Sequence, residues 1–107
     1  MEAGRLKNQI ILQRKVATLD AIAGEVITYT PVVTIAVEAQ TQGGREFQRL
    51  QRAGVELDVL FIGYYRSDVD STWRVVWRSQ PYDIVSPPID VDADRVWMRL
   101  VCKTAQV

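Results

Sequence analysis

Hydrophobic side chains recur at every second position over nearly the whole chain, and this period of two constrains the fold more than any other feature. The cleanest run puts Ile27, Tyr29, Val33, Ile35, Val37 and Ala39 at odd positions and Thr28, Thr30, Thr34, Glu38 and Gln40 at even ones. Successive side chains of an extended backbone point to opposite faces, so the run predicts a long strand with one face buried. Pro31 has no N–H to give to a ladder, which predicts a bend, a bulge or a free edge there. Upstream, residues 8–16 set Ile10, Leu12 and Val16 against Ile11, Gln13 and Lys15, a second strand. The segment 18–24 reads as the connection between the two, with Asp20 opening a turn and Gly24 in the left-handed position.

Downstream, Val55, Leu57, Val59, Phe61 and Tyr65 restore the odd-position pattern, with Gly63 as a site of strong coiling. Leu60, Ile62 and Tyr64 make the even face apolar too, which predicts a strand covered on both sides or seated against another subunit. A turn cluster at 67–72 precedes Trp73, Val75 and Trp77, which alternate with Arg74, Val76 and Arg78. The return through Tyr82, Ile84 and Ser86 makes a hairpin. Pro87 and Pro88 end it and stiffen the next stretch of chain. After an acidic turn at 90–94, Val96, Met98, Leu100 and Cys102 oppose Trp97, Arg99 and Val101 in a last strand. About six strands, turn residues between them and no long helical period predict an all-β fold. Closure into a small antiparallel β-barrel hides the sheet edges. A length of 107 residues is enough for one core and not for two, so 1–107 is read as a single domain with a polar arm at 1–7.

One stretch breaks the period. Residues 40–54 form a connection of a length that is uncommon in compact domains and usually functional. The segment carries Arg45, Arg49 and Arg52 against Glu46, with only Phe47 and Leu50 to bury. Those two lie three apart, giving at most one short helical turn hinged on Gly43 and Gly44, between the second and third main strands. A loop that cannot hold itself down reads either as a loose surface excursion or as a segment that orders against a partner chain.

Charge and residue usage exclude several functions. Thirteen basic and thirteen acidic side chains cancel, so the chain has no global field to attract nucleic acid. The first twenty residues hold neither a signal peptide nor a membrane span, which predicts a protein kept in the cell that makes it. Cys102 is alone and is read as a small buried hydrophobe. The absence of histidine removes the usual general base and the commonest metal ligand. Asp90, Asp92 and Asp94 alternate as in the start of a calcium loop. Counting from Asp90, however, Arg95 stands where the turn glycine belongs and Val101 where a bidentate glutamate belongs. Asp68 and Asp70 have no third ligand nearby. Ser67, Ser71, Ser79 and Ser86 lie in turns without a nucleophile-elbow pattern, and Gly43–Gly44 lacks the lysine of a phosphate cradle. No enzyme, cofactor or metal is predicted. Tyr64, Tyr65, Trp73, Trp77, Tyr82 and Trp97, interleaved with Arg66, Arg74, Arg78 and Arg99, suggest an alternative, a small barrel that stacks single-stranded nucleic acid. Because Trp73 and Trp77 share the apolar face with Val75, the favoured reading is a core with a wet outer face.

The order of several segments also carries a family resemblance. It runs through Ala3-Gly4-Arg5-Leu6, Leu12-Gln13-Arg14, Tyr29-Thr30-Pro31-Val32-Val33 and Gln42-Gly43-Gly44-Arg45-Glu46-Phe47. It continues through Trp73-Arg74-Val75-Val76-Trp77 and Tyr82-Asp83-Ile84-Val85. Over residues 3–104 the chain resembles the head-tail joining, or head closure (stopper), proteins of long-tailed bacteriophages. It departs from them at Ser79-Gln80-Pro81, where a glycine-containing turn is usual, and at 19–24, where a more polar turn is usual. The resemblance implies a virion structural protein of the neck, assembled in the host bacterial cytoplasm. It implies a homo-oligomeric ring of six or twelve copies, docked on the portal adaptor and offering a face to the tail terminator or tail tube. Double-stranded DNA would pass the lumen without sequence-specific contact. It further implies that Gly43, Gly44, Arg45, Glu46, Phe47, Arg49, Leu50 and Arg52 face the channel or a neighbouring subunit. A tail-side neck protein such as a tail terminator is the other reading within that class.

Overall fold

The computed structural model describes residues 3–91 and 95–105. After a 3-10 turn at Ala3–Arg5, the chain forms β1 (Asn8–Asp20), β2 (Gly24–Gln40), α1 (Arg45–Arg52) and β3 (Val59–Tyr64). Next come β4 (Arg74–Trp77), β5 (Gln80–Ile84), β6 (Ile89–Asp90) and β7 (Trp97–Thr104). All pairings are antiparallel, in the order β3-β2-β1-β4-β5-β7-β6, and β3 also pairs with β7. Six strands therefore close on themselves, and β6 is a short addition to β7. Within that ring of strands closure removes the free edges.

Inside the closed sheet lie Ile10 and Leu12 of β1, Val37 of β2, Phe61 of β3, Val75 of β4, and Met98, Leu100 and Cys102 of β7. Phe61 sits at the centre. The rings of Trp77 and Tyr82 meet it edge-on at 5.5 and 6.1 Å, an arrangement that suits the aromatic quadrupole. Trp73 and Val69 are buried in the same cluster. Gly63 lies where β3 and β2 nearly touch, since a Cβ there would stand 3.0 Å from Val37 Cγ1 and 3.2 Å from the Ala36 carbonyl.

β1 and β2 are much longer than the sheet they build. β1 meets β4 only at Ile11–Gln13, and β2 meets β3 only at Val37–Gln40. Beyond those points the two strands continue alone as a hairpin arm, and the molecule is 48 Å long but 26 Å across. The bulge expected at Pro31 is present. Leu12 pairs with Val33 and Gln13 with Pro31, leaving Val32 as the extra residue. One consequence departs from the sequence reading. Skipping a residue reverses the parity, so Tyr29 and Ile27 pair with Lys15 and Ala17 and leave the core face that Val33, Ile35 and Val37 occupy. The turn of the arm is also tighter than expected: Thr18 and Leu19 are in strand, and the reversal occupies 21–23. Asp20 Oδ1 accepts the Ile22 and Ala23 N–H groups at 2.7 and 3.0 Å, and Gly24 takes φ 76°.

Candidate functional site

Between β2 and β3 the chain forms α1, two helical turns where the sequence suggests at most one. Gly44 at its start offers no side-chain cap. The end of β2 provides one instead: Gln40 Oε1 accepts the N–H groups of Glu46 and Phe47 at 3.2 and 3.3 Å. This satisfies two of the donors that a helix N-terminus leaves open. Gly44 must be small for that cap, since a Cβ there would lie 2.6 Å from Gln40 Cβ and Oε1. At the other end Gly54 takes φ 88°, its N–H reaches the Gln51 carbonyl at 3.1 Å, and the Val55 N–H reaches Leu50 at 3.0 Å. That pair of bonds is a Schellman motif, with Leu50 and Val55 in the same apolar cluster.

Phe47, 2 % exposed, pins the helix to the outside of the closed sheet against Leu60, Ile62 and Val101. The doubly apolar β3 is thus covered by the chain's own helix. Val55 and Leu57, read from sequence as part of that strand, precede it and pack against this second cluster. Glu46 adds a polar tie, reaching Arg49 at 2.9 Å and Arg99 of β7 at 3.5 Å.

Of the residues expected at the site, Gly43 and Gly44 form the approach, Phe47 is buried, and Glu46 and Leu50 are half-buried. Arg45, Arg49 and Arg52 are exposed on the outer side of α1, and among the described residues neither Arg45 nor Arg52 has an ion pair. The helix therefore presents a basic face.

Three clefts flank it. One of about 570 Å³ lies between Arg5, Glu38, Gln40, Gly44 and Arg45. Another of about 210 Å³ is floored by Ile62 and Trp97 and shares Arg5 and Glu38 with the first. Glu38 Oε2 is buried there without a hydrogen-bond partner. Sequence reasoning missed both Arg5 and Glu38: pairing with Ile62 brings Glu38 beside the helix, and Arg5, from the N-terminal 3-10 turn, meets it only in the walls of these two clefts. The third, of about 420 Å³, lies at the C-terminal end of α1 along Gln51, Gly54, Val55 and Leu57.

Among the described residues no group of three potential metal ligands comes together. Asp92 and Asp94, part of the weighed calcium pattern, lie outside the described residues. Burial pushes the Cys102 thiol far above its ordinary range, with the Asp83 charge a lesser cause. The proposed stacking platform is not displayed either, since Trp73, Trp77 and Tyr82 face the core. Tyr64 and Trp97 do stack outside it, with ring centroids 4.7 Å apart.

A family model described as phage head completion protein matches residues 1–105. The chain belongs to this family. Membership supports a structural role in completing the phage head. The fold has a solved counterpart in protein SF1141 of Shigella flexneri 2a, with a TM-score of 0.77 and 22% identity over 98% of this chain and 97% of that one. At that identity the likeness concerns the fold alone. No curated protein sequence matches the chain significantly.

Proposed function

We propose that this chain is a neck stopper: it forms a homo-oligomeric ring of six or twelve copies at the head–tail interface of the virion, docks on the portal adaptor, retains packaged DNA and offers the face on which the tail assembles. The observation that carries the reading is the family match together with a basic helix face on a chain of zero net charge. The role is structural rather than enzymatic. Arg45, Arg49 and Arg52 face the lumen or an adjacent copy, where guanidinium groups meet either DNA phosphates or carboxylates. Contact with DNA is sequence-blind, since the guanidinium groups meet phosphates, which carry no sequence information. Partners beyond itself are the portal adaptor above and a tail terminator or tail tube protein below.

The test replaces Arg45 and Arg52 by Gln in the phage that encodes the chain. Heads that lose their DNA and carry no tails are the expected result. Heads that stay full but lack tails would move the protein to the tail side of the neck. Normal yields of infectious particles would remove the role assigned to the helix face.

A further inference from the structure

The hairpin arm is the largest feature that the site above does not use. From Arg14 to Asp20, β1 has only β2 beside it, and β2 is equally alone from Gly24 to Ala36. At roughly 3.3 Å per residue the seven residues of β1 carry the arm about 23 Å, nearly the 26 Å width of the molecule. A lone two-stranded ribbon is marginal in water and leaves both backbone edges open to pairing. Its surface is also unusually apolar. Leu19 is 90% exposed and Ile22 98%, and Ile27 lies on the same face as Leu19, Ala17 and Tyr29. The root is braced, because the Arg74 guanidinium lies 3.9 Å above the Tyr29 ring and pairs with Asp83 at 3.2 Å. The apolar part is the free end.

Charge says what this end fits. Residues 16–44 contain no lysine or arginine, and the tip carries Asp20 and Glu25. The opposite holds on α1, which has three arginines and one glutamate, with that glutamate already engaged by Arg49 and Arg99. Beside the helix's C-terminal half runs the groove of about 420 Å³ with Val55 and Leu57 in its wall. The two carboxylates on its lip are occupied. Glu56 pairs with Lys103 at 3.0 Å, and Asp58 accepts the Thr104 N–H at 2.7 Å. An apolar tip with two carboxylates thus has its counterpart in the Val55–Leu57 wall of the groove and in the basic face of α1 above it, where Arg52 is exposed and has no ion pair among the described residues.

Position decides whose arm fills the groove. β2 runs from the arm tip into the sheet and ends at Gln40, paired with Leu60 near the start of β3. The groove precedes β3, so arm and groove lie at opposite ends of the molecule and one chain cannot join its own. We propose that the arm tip of one copy seats in the groove beside α1 of the next, making a heterologous contact that repeats from copy to copy. Unlike surfaces meeting in this way generate a closed ring when the rotation between copies permits. The inference deepens the ring reading above and shares only its premise that copies associate; portal, tail and DNA play no part in it.

The test uses the purified full chain at about 1 mM, where a contact with a Kd near 1 mM is substantially populated. Ile22→Cys combined with Gln51→Cys, on oxidation, gives a ladder of disulfide-linked multimers, while either variant alone gives no more than dimers. Ile22→Asp leaves the fold intact, its side chain being almost fully exposed, and weakens self-association by about tenfold or more, read by sedimentation. Glu25→Arg and Arg52→Glu each weaken it, and the double exchange restores it. A chain that stays monomeric at this concentration, a ladder absent from the double-cysteine variant, or charge reversals that fail to rescue one another would overturn the proposal. Since no other virion protein is present, a failed neck assay and a failed ladder are separate results.

Discussion

Replacing Phe47 by Ala tests whether α1 is held by the sheet or only lies beside it. Phe47 is the one fully buried side chain of the helix, and it covers Leu60, Ile62 and Val101 from outside the closed sheet. Truncating a buried phenylalanine to alanine costs about 3–5 kcal/mol. The lower end applies here, because the cluster lies near the surface and can partly collapse. An eight-residue helix is far below the length of about 12–15 residues at which isolated helices become even marginal, so it does not survive detachment. The Gln40 cap goes with it, since its acceptor geometry exists only while the helix is docked. A loss of about 3 kcal/mol lowers the urea midpoint by roughly 2 M at the slopes usual for small domains. Amide exchange should be faster at Gln48 and Ala53, whose N–H groups bond to Gly44 and Arg49 at 3.0 and 3.2 Å. Amides of β1 inside the closed sheet keep their protection order. A midpoint shift worth less than about 1 kcal/mol, with helix amides as protected as before, would refute the claim that this cluster fastens the helix.

Gln40→Ala and Gly44→Ala each lower stability by about 1 kcal/mol in denaturant titrations, and the double variant costs little more than either alone, because both remove one cap. Ser79→Gly raises stability by about 0.5–1 kcal/mol: Arg78 and Ser79 sit at φ 53° and 64° in the β4–β5 turn, where a side chain is strained. Cys102, buried and with its thiol held protonated, stays unlabelled by maleimide in the native state and reacts once the sheet is unfolded in urea. The two backbone N–H bonds, from Ala23 foremost and then Ile22, hold the Asp20 carboxyl below its ordinary value. With a folded value beneath the unfolded one, its stabilisation is present above the ordinary carboxylate pKa and disappears as pH falls through the folded value. Exchange at Ile22 and Ala23 therefore accelerates, relative to an Asp20→Asn variant, as acid protonates Asp20.

Much of the sheet was legible because the period of two is local. The bulge at Pro31 followed from a missing donor, the β4–β5 hairpin from its flanking alternation, and the double burial of β3 from Leu60 and Ile62 between odd-position apolar residues. The two largest misreadings share one cause: each depended on contact with another part of the chain. Val32, unpaired in the bulge, reverses the faces of Tyr29 and Ile27, and only the register with β1 reveals that slip. The helix has few apolar residues of its own and takes its cap from Gln40, outside the helix, and its floor from β3 and β7. One local sign of it was present. Gly54 following Ala53, with Leu50 and Val55 flanking the end, is a helix-stop signature. The arm could not be read at all, because Val16, Ile27 and Tyr29 alternate as a half-buried strand would, and alternation does not say whether a third strand is there to cover it.

The two ends of the molecule differ in a way that bears on how copies can meet. A two-fold contact centred on the arm tip sets Asp20 and Glu25 against their own counterparts, and one centred on the helix opposes Arg45 and Arg52 with themselves. Both arrangements bring like charges together as apolar surface is buried, and desolvation makes that repulsion stronger than it is in water. Joining unlike ends removes both repulsions at once. The acidic arm tip and the basic helix face are local features that the chain's zero net charge does not reveal. Salt offers a direct reading of this difference. Screening weakens an attraction between unlike ends and relieves a repulsion between like ones. Self-association that falls as salt rises from low to physiological concentration belongs to contact between unlike ends, and self-association that rises belongs to contact between like ones.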